Sequence, residues 1–498
     1  MSQLPVRSSQ SLQRTKILTL VFCFAVVPLI LLGLAIAPAT ATPAKFYRDL
    51  TFGPIPEIKL PDYSRFQLSN GLVVYLMEDH ELPLVSGTAL IRTGDRWEPA
   101  EQVGLAELVG TVQRSGGTVR RSADEINEFL EQRAAEIETG IGESSGSASF
   151  NTLTENLPEV FDLFAEIIRE PAFPDDKLAL AKTQIRGGIA RRNDNPSSIA
   201  GREFRKLIYG SSSPYARTVE YATIDPISRT DLVRFHQQYY RPDKLLLGIV
   251  GDFDSKTMRS QIESKLGNWT VDRQPWPSLP SVAQAQRSGV FLINQPQLTQ
   301  SNIQIGHLGG VVSSPDYPAL SVMNQVLNGF GGRLFNQVRS RQGLAYSVYG
   351  TWQPQYDYPG VFVAGGQTRS DATVPFIQSI QAEIEKIRTT PISATELKYA
   401  QDLVLNSFIF NFQDPSQTLS RLLRDDYFDY PSDFIFRYRK GVEATTIADV
   451  QRVAQTYLQP ENLVTLVVGN EAAIQPALTD LGGKVSKIDV TIPPAKPS

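Results

Sequence analysis

The 498 residues are 41% hydrophobic and 20% charged, an ordinary balance for a folded protein with room for two or more domains. A formal charge of -4, with no run of Lys and Arg interleaved with aromatics, leaves no footprint for nucleic acid, and none is expected as a partner. One cysteine, Cys23, excludes a disulfide framework.

At the N-terminus Arg7, Arg14 and Lys16 precede the apolar run Ile17 to Ile36 and the small residues Ala37 to Ala44. This order predicts an export signal over 1–41, cleaved after Ala39-Thr40-Ala41. The run is also 20 residues long, so an uncleaved membrane anchor is the alternative, and the only membrane contact expected. Either way the folded part is expected outside the cytoplasm, in a periplasm or lumen. Cleavage would remove Cys23 and three positive charges, taking the formal charge from -4 to -7. Residues 42–65 read as an N-terminal extension.

GLVVYLMED (71–79) and LVSGTALIRTG (84–94) have the alternation of strands and are expected to form a hairpin. GLAELVGTVQRSGGT (104–118) has Leu105, Leu108, Val109 and Val112 at helical spacing, with Glu107, Gly110 and Thr111 on another face. In a zinc peptidase of the inverted-motif class that i, i+3, i+4 face reads His, Glu, His. Ser122 and Glu125 form a capping box for a helix expected to run through Ile137, after which ASFNTL (148–153) returns as a strand. Val160, Phe161, Leu163, Phe164, Ile167 and Ile168 mark an amphipathic helix, and another is expected from Lys177. The pattern predicts an α+β fold, a mixed sheet with helices packed on one face.

DLVRFHQQYYRPDKLLLGIVGD (231–252) recurs 218 residues later as DVQRVAQTYLQPENLVTLVVGN (449–470), with eight of 22 positions identical. Each copy reads as a helix, a proline turn and a strand ending at glycine. FPDDKLALAK (173–182) and SATELKYAQ (393–401) match at nearly the same displacement. The chain is therefore read as a duplicated module: 66–270, a Pro-, Gln- and Ser-rich linker 271–289, a second module 290–475, and a C-terminal tail 476–498.

The histidines His80, His236 and His307 are isolated, and HELPL at His80 is broken by Pro83, so none is expected to bind metal. In GFGGRLFNQVRSRQGLAYSVYG (329–350) the glycines are expected to permit a tight bend rather than to cradle phosphate, because no Gly-Lys-Ser/Thr follows.

NGLVVYLMEDHELPLV, GLAELVGTVQRSGGT, PYARTVEYATI with YYRPDKLLLGIVGDF, and GGRLFNQVRSRQGLAYSVYG together make Leu68 to Ala472 resemble the insulinase and pitrilysin peptidases. That family includes the mitochondrial processing peptidases and core subunits of a respiratory complex. The resemblance implies two tandem α/β modules forming half of a clamshell around unfolded peptide, often with one zinc-bearing chain and one lacking zinc. Its two histidines would fall on Glu107 and Thr111, its glutamate base on Gly110 and its third ligand on Gly187, and none of these matches. A carboxylate, a hydroxyl and two glycines do not make a hydrolytic zinc shell. No cofactor is therefore expected in this chain, and zinc is expected in a partner. Arg339 and Tyr346 do match an arginine and tyrosine that in active relatives reach into the chamber and help hold substrate.

Two readings follow. One is a non-catalytic, substrate-clamping subunit of a heterodimeric zinc peptidase whose homologous partner carries H-x-x-E-H, with unfolded peptide as substrate. The other is a structural or peptide-binding protein without a peptidase partner. N-terminal sequencing of the secreted or lumenal fraction is expected to begin near Thr42; residues upstream of Ile17 recovered from a membrane pellet would establish the anchor instead.

Overall fold

The computed structural model describes residues 60–270, 275–329 and 331–495. The expected signal segment and most of the extension lie outside the described residues. Among those described, no helix is long and apolar enough to cross a membrane.

Two six-stranded mixed sheets repeat one topology. The first contains β1 (Ser64–Gln67), β2 (Val73–Glu78), β3 (Leu84–Ile91), β4 (Glu136–Ile141), β5 (Gly146–Leu153) and β6 (Leu245–Gly251), in the order β1-β2-β6-β3-β5-β4. The second contains β7 (Gly289–Asn294), β8 (Gln300–Leu308), β9 (Ala345–Gln353), β10 (Val361–Arg369), β11 (Val464–Gly469) and β12 (Val485–Lys487), in the order β12-β7-β11-β8-β10-β9. In both, the strand at the end of the repeated motif lies parallel to the first long strand and antiparallel to the next. The outer positions differ. β1 pairs antiparallel with β2, whereas β12, from the segment read as a tail, pairs parallel with β7.

Two local expectations are corrected. β2 and β3 are strands but not a hairpin, because β6 inserts between them. All seven residues of β6 are buried, and such an apolar strand is most stable with neighbours on both edges. The hairpin is instead β1 with β2, turned at Gly71 (φ 100°) with the Asn70 side chain accepting from Leu72 N–H. The helix begun by the Ser122–Glu125 capping box ends at Gln132, and Ile137 lies on β4, opposite Phe150. Glu136-Ile137-Glu138 alternates, and Ile137 is its one buried side chain, as strand periodicity requires.

The first module's longer helices are α1 (Leu105–Ser115), α2 (Ala123–Gln132), α3 (Leu157–Arg169), α4 (Asp175–Arg191), α5 (Pro196–Tyr209), α6 (Arg229–Tyr239) and α7 (Ser255–Leu266). The second module's are α8 (Tyr317–Leu327), α9 (Thr373–Thr389), α10 (Ala394–Phe408), α11 (Pro415–Tyr427), α12 (Phe434–Ala444) and α13 (Ile447–Tyr457). One face of each sheet packs on helices of its own module. Val74, Leu76, Leu247 and Ile249 meet α1 and α3, and Ile303, Ile305, Phe362 and Val467 meet α8 and α9.

The opposite faces are exchanged. Tyr75, Met77, Leu246 and Val250 of the first sheet are covered by Leu419, Leu422, Leu423 and Tyr427 of α11. Ile293, Val363, Leu466 and Val468 of the second are covered by Ile199, Ala200, Phe204 and Ile208 of α5. Glycine permits the close crossings: a Cβ at Gly248 would lie 2.6 Å from Leu423, and one at Gly306 would lie 2.9 Å from the Phe204 ring. Leu423→Ala and Phe204→Ala are each expected to cost about 3 kcal/mol in chemical denaturation and to move one shared transition. Two separable transitions would show that the modules hold independently.

Candidate functional site

Helix α1 enters through Gly104 in the left-handed region (φ 105°), where a Cβ would press on Ile224 and Val219. Its first turn is capped from outside the helix. The buried Glu98 carboxylate accepts from Gly104 N–H at 3.1 Å and from Ala106 N–H at 2.5 Å. Burial pushes this carboxyl up to about 7 against the opposing pull of those two donors.

One turn apart on α1, Glu107 and Thr111 line a cleft of about 500 Å³. The other walls come from Gln184, Ile185 and Gly188 of α4 and from Arg192, Arg202 and Arg217. Desolvation by these walls, followed by the charge of Asp95, raises the Glu107 carboxyl above its usual range. Thus the structure brings together two of the four positions singled out in sequence. On α4 it is Gly188 rather than Gly187 that faces them, one residue further along the helix.

Gly110 is not in the cleft wall. It is buried against β4, where a Cβ would stand 2.7 Å from Ile141 N and 2.9 Å from Gly140 Cα, and Thr139 donates its hydroxyl to Gly110 O at 2.6 Å. A glutamate at this position has no path to the cleft without moving the helix off the strand. The donor set does not fit zinc: one carboxylate and one hydroxyl face guanidinium groups, and Gly188 offers no side chain. Among the described residues no group of three or more His, Cys, Asp or Glu could hold a metal ion.

The histidines lie elsewhere. His80 is exposed at the end of β2, with Nδ1 2.6 Å from Asp252, whereas His236 is buried with Nε2 2.8 Å from Ile168 O, and burial lowers it to about 4. His307 is buried and bonded to Leu308 O and Gln459 N–H.

In the second module, Phe335–Arg341 forms a π-helix running into β9. The wider turn sets Phe335 and Arg339 on one side, and the Arg339 guanidinium carbon lies 4.8 Å from the Phe335 ring centroid and 5.0 Å from that of Tyr346. The structure therefore joins the two residues paired in sequence. Tyr346 is 84% exposed, so its ring is not packed into the sheet, and the Arg339 guanidinium forms no ion pair or hydrogen bond among the described residues. Its neighbour Arg341 bonds Gln337 on the surface at 3.3 Å.

Sequence reasoning missed Glu98, Arg192, Arg202, Arg217 and Gly188. The arginines lie on three separate segments that only the fold assembles. A count of helical turns back from Arg192 was the one available signal for Gly188 over Gly187.

Two family models match this chain: insulinase (peptidase family M16) over residues 73–213, and the peptidase M16 inactive domain over 226–404. It is 22% identical over 361 residues to the uncharacterized zinc protease YmxG of Bacillus subtilis, covering 72% of this chain and 86% of that protein. An uncharacterized zinc protease of Rickettsia felis is 24% identical over 328 residues, covering 64% and 77%. The fold matches that of a peptidase M16 inactive domain from Pseudomonas fluorescens with a TM-score of 0.75, 24% identity, and coverage of 84% of this chain and all of that one. It also matches the periplasmic protease PqqL of Escherichia coli with a TM-score of 0.71 and 16% identity, covering 84% of this chain and 47% of that one.

Because β4 backbone occupies the space beside Gly110, Gly110→Glu is expected to destabilise the protein by about 1–3 kcal/mol. The triple variant Glu107→His, Gly110→Glu, Thr111→His is then expected to fall short of one zinc per chain. Elemental analysis with a thermal melt checks both, and stoichiometric tight zinc would show that helix and strand can part.

Proposed function

We propose that this chain, which belongs to the insulinase family of peptidases (family M16), is the non-catalytic, substrate-clamping subunit of a heterodimeric zinc peptidase acting outside the cytoplasm. The partner is a homologous chain carrying H-x-x-E-H and its metal, and the substrate is unfolded peptide.

The observation that carries this reading is the state of Arg339 and Tyr346. Tyr346 is exposed, the half-buried Arg339 guanidinium lies against its ring, and neither side chain makes an internal hydrogen bond or ion pair among the described residues, as donors to a second molecule would be. The position of the catalytic base in the first module is meanwhile closed by backbone. A guanidinium and a phenol held side by side can both donate to a carbonyl oxygen as negative charge develops on it. Stacking between Phe335 and Tyr346 limits the rotamers of Arg339, so less freedom is lost when substrate arrives.

Two observations support the extracytoplasmic setting: the order of positive, apolar and small residues at the N-terminus, and the fold's likeness to a periplasmic protease.

The chain alone is expected to bind less than one zinc and to cleave no peptide. In the reconstituted pair, Arg339→Ala or Tyr346→Phe is expected to lower turnover about a hundredfold, roughly 3 kcal/mol, while the heterodimer stays assembled. A surface arginine without this role would change turnover hardly at all. Steady-state kinetics with a sizing column decide the matter: unchanged turnover in both variants would leave a structural or peptide-binding protein.

A further inference from the structure

The cleft in the place of the family's metal site is itself built to hold something. Arg192 is paired with Glu220 at 2.8 Å, and Arg202 with Glu203 at 2.8 Å. Arg217 has no such pair. It donates to Glu98 O at 2.9 Å and Asp95 O at 3.1 Å, both backbone carbonyls, and forms no ion pair among the described residues. Two carbonyls leave most of the five guanidinium N–H groups without a protein acceptor.

Behind the wall, Arg192 Nε, Arg217 Nε and Thr218 Oγ1 are buried without a hydrogen-bond partner, as are the acceptors Asp95 Oδ1 and Glu220 Oε2. What faces the cleft itself is three guanidinium groups, of Arg192, Arg202 and Arg217, of which only Arg217 lacks a carboxylate partner, and such a wall is complementary to an anionic acceptor. Arg217, Glu107 and Val219 also border a second cavity of about 170 Å³, so Arg217 stands at the junction of two spaces. The larger cavity adds aliphatic surface from Ile185, Ile189 and Val219. Glu107 on the same wall opposes a dianion more strongly than a monoanion. Together these features select a single carboxylate next to an aliphatic side chain.

We propose that this cleft binds the carboxyl terminus of a peptide, its terminal carboxylate on Arg217 with the hydroxyl of Thr111, and its last side chain against Ile185, Ile189 and Val219. The proposal rests on the reading of this chain as a peptide-binding subunit and adds a second contact, away from Arg339 and Tyr346.

The test is fluorescence anisotropy of the purified full chain with an N-terminally labelled pentapeptide, four alanines and a final leucine, as free acid and as C-terminal amide. The acid is expected to bind at least tenfold more tightly. Gln184→Glu, on the exposed cleft face of α4, should weaken the acid about fivefold and leave the amide unchanged, and Glu107→Gln should tighten the acid. Arg217→Gln should abolish the preference for acid over amide, with a thermal melt to confirm folding.

Equal affinity for acid and amide overturns the proposal while leaving peptide binding to Arg339 and Tyr346. Failure of both peptides to bind overturns it too, and the turnover of the reconstituted pair then judges the subunit reading separately. Competition by free leucine as strong as by the unlabelled peptide would assign the cleft to amino acids and not to peptide ends.

Discussion

Each sheet is buried on both faces, and neither module can bury its own sheet alone. β6 and β11, buried at every position, require cover above and below. The lower cover comes from the other module, α11 on one sheet and α5 on the other. An amphipathic helix has one apolar stripe, and these two direct it across the module boundary. Everything else depends on that exchange: it sets the two sheets' relative position, hence where α1 and β9 present their side chains. The boundary also carries polar contacts, with Arg96 paired to Asp357 at 2.8 Å and buried to 4% exposure.

Much of this was legible in the sequence. The displaced repeat of helix, proline turn and strand recurs as α6 with β6 and α13 with β11, and strand alternation, helical spacing and the capping box at Ser122 located several elements of the first module. What escaped was non-local. LLLGIVG is an apolar run in any reading, yet which strands flank it and which helix lies beneath it depends on residues up to 180 positions away. The hairpin expectation failed for that reason, since proximity in sequence favours β2 with β3 while burial favours β6 between them. The span assigned to the helix ending at Ile137 failed locally, where Ala134 takes a positive φ (46°) and turns the chain into a strand.

The candidate site divides the same way. Glu107 and Thr111 share a cleft because four residues is one turn, which sequence spacing makes plain. Arg339 and Tyr346 meet because only three residues join a π-helix to a strand, a detail spacing alone does not reveal. Gly110 holds the less expected lesson. From sequence it is an absent carboxylate, and in the structure it is a contact, where helix and strand backbones meet too closely for any Cβ. The space beside a lost side chain has been taken by main chain.

The helix exchange has a consequence for the order of events during synthesis. Residues 64–251 hold every strand of the first sheet, but its second cover, residues 415–427, is made some 160 residues after the last strand. Until then Tyr75, Met77, Leu246 and Val250 face water, a strip of the kind that recruits chaperones or other chains. The N-terminal half is thus obliged to wait in an unfinished state for its counterpart, and the chain reaches its native form only from its whole length.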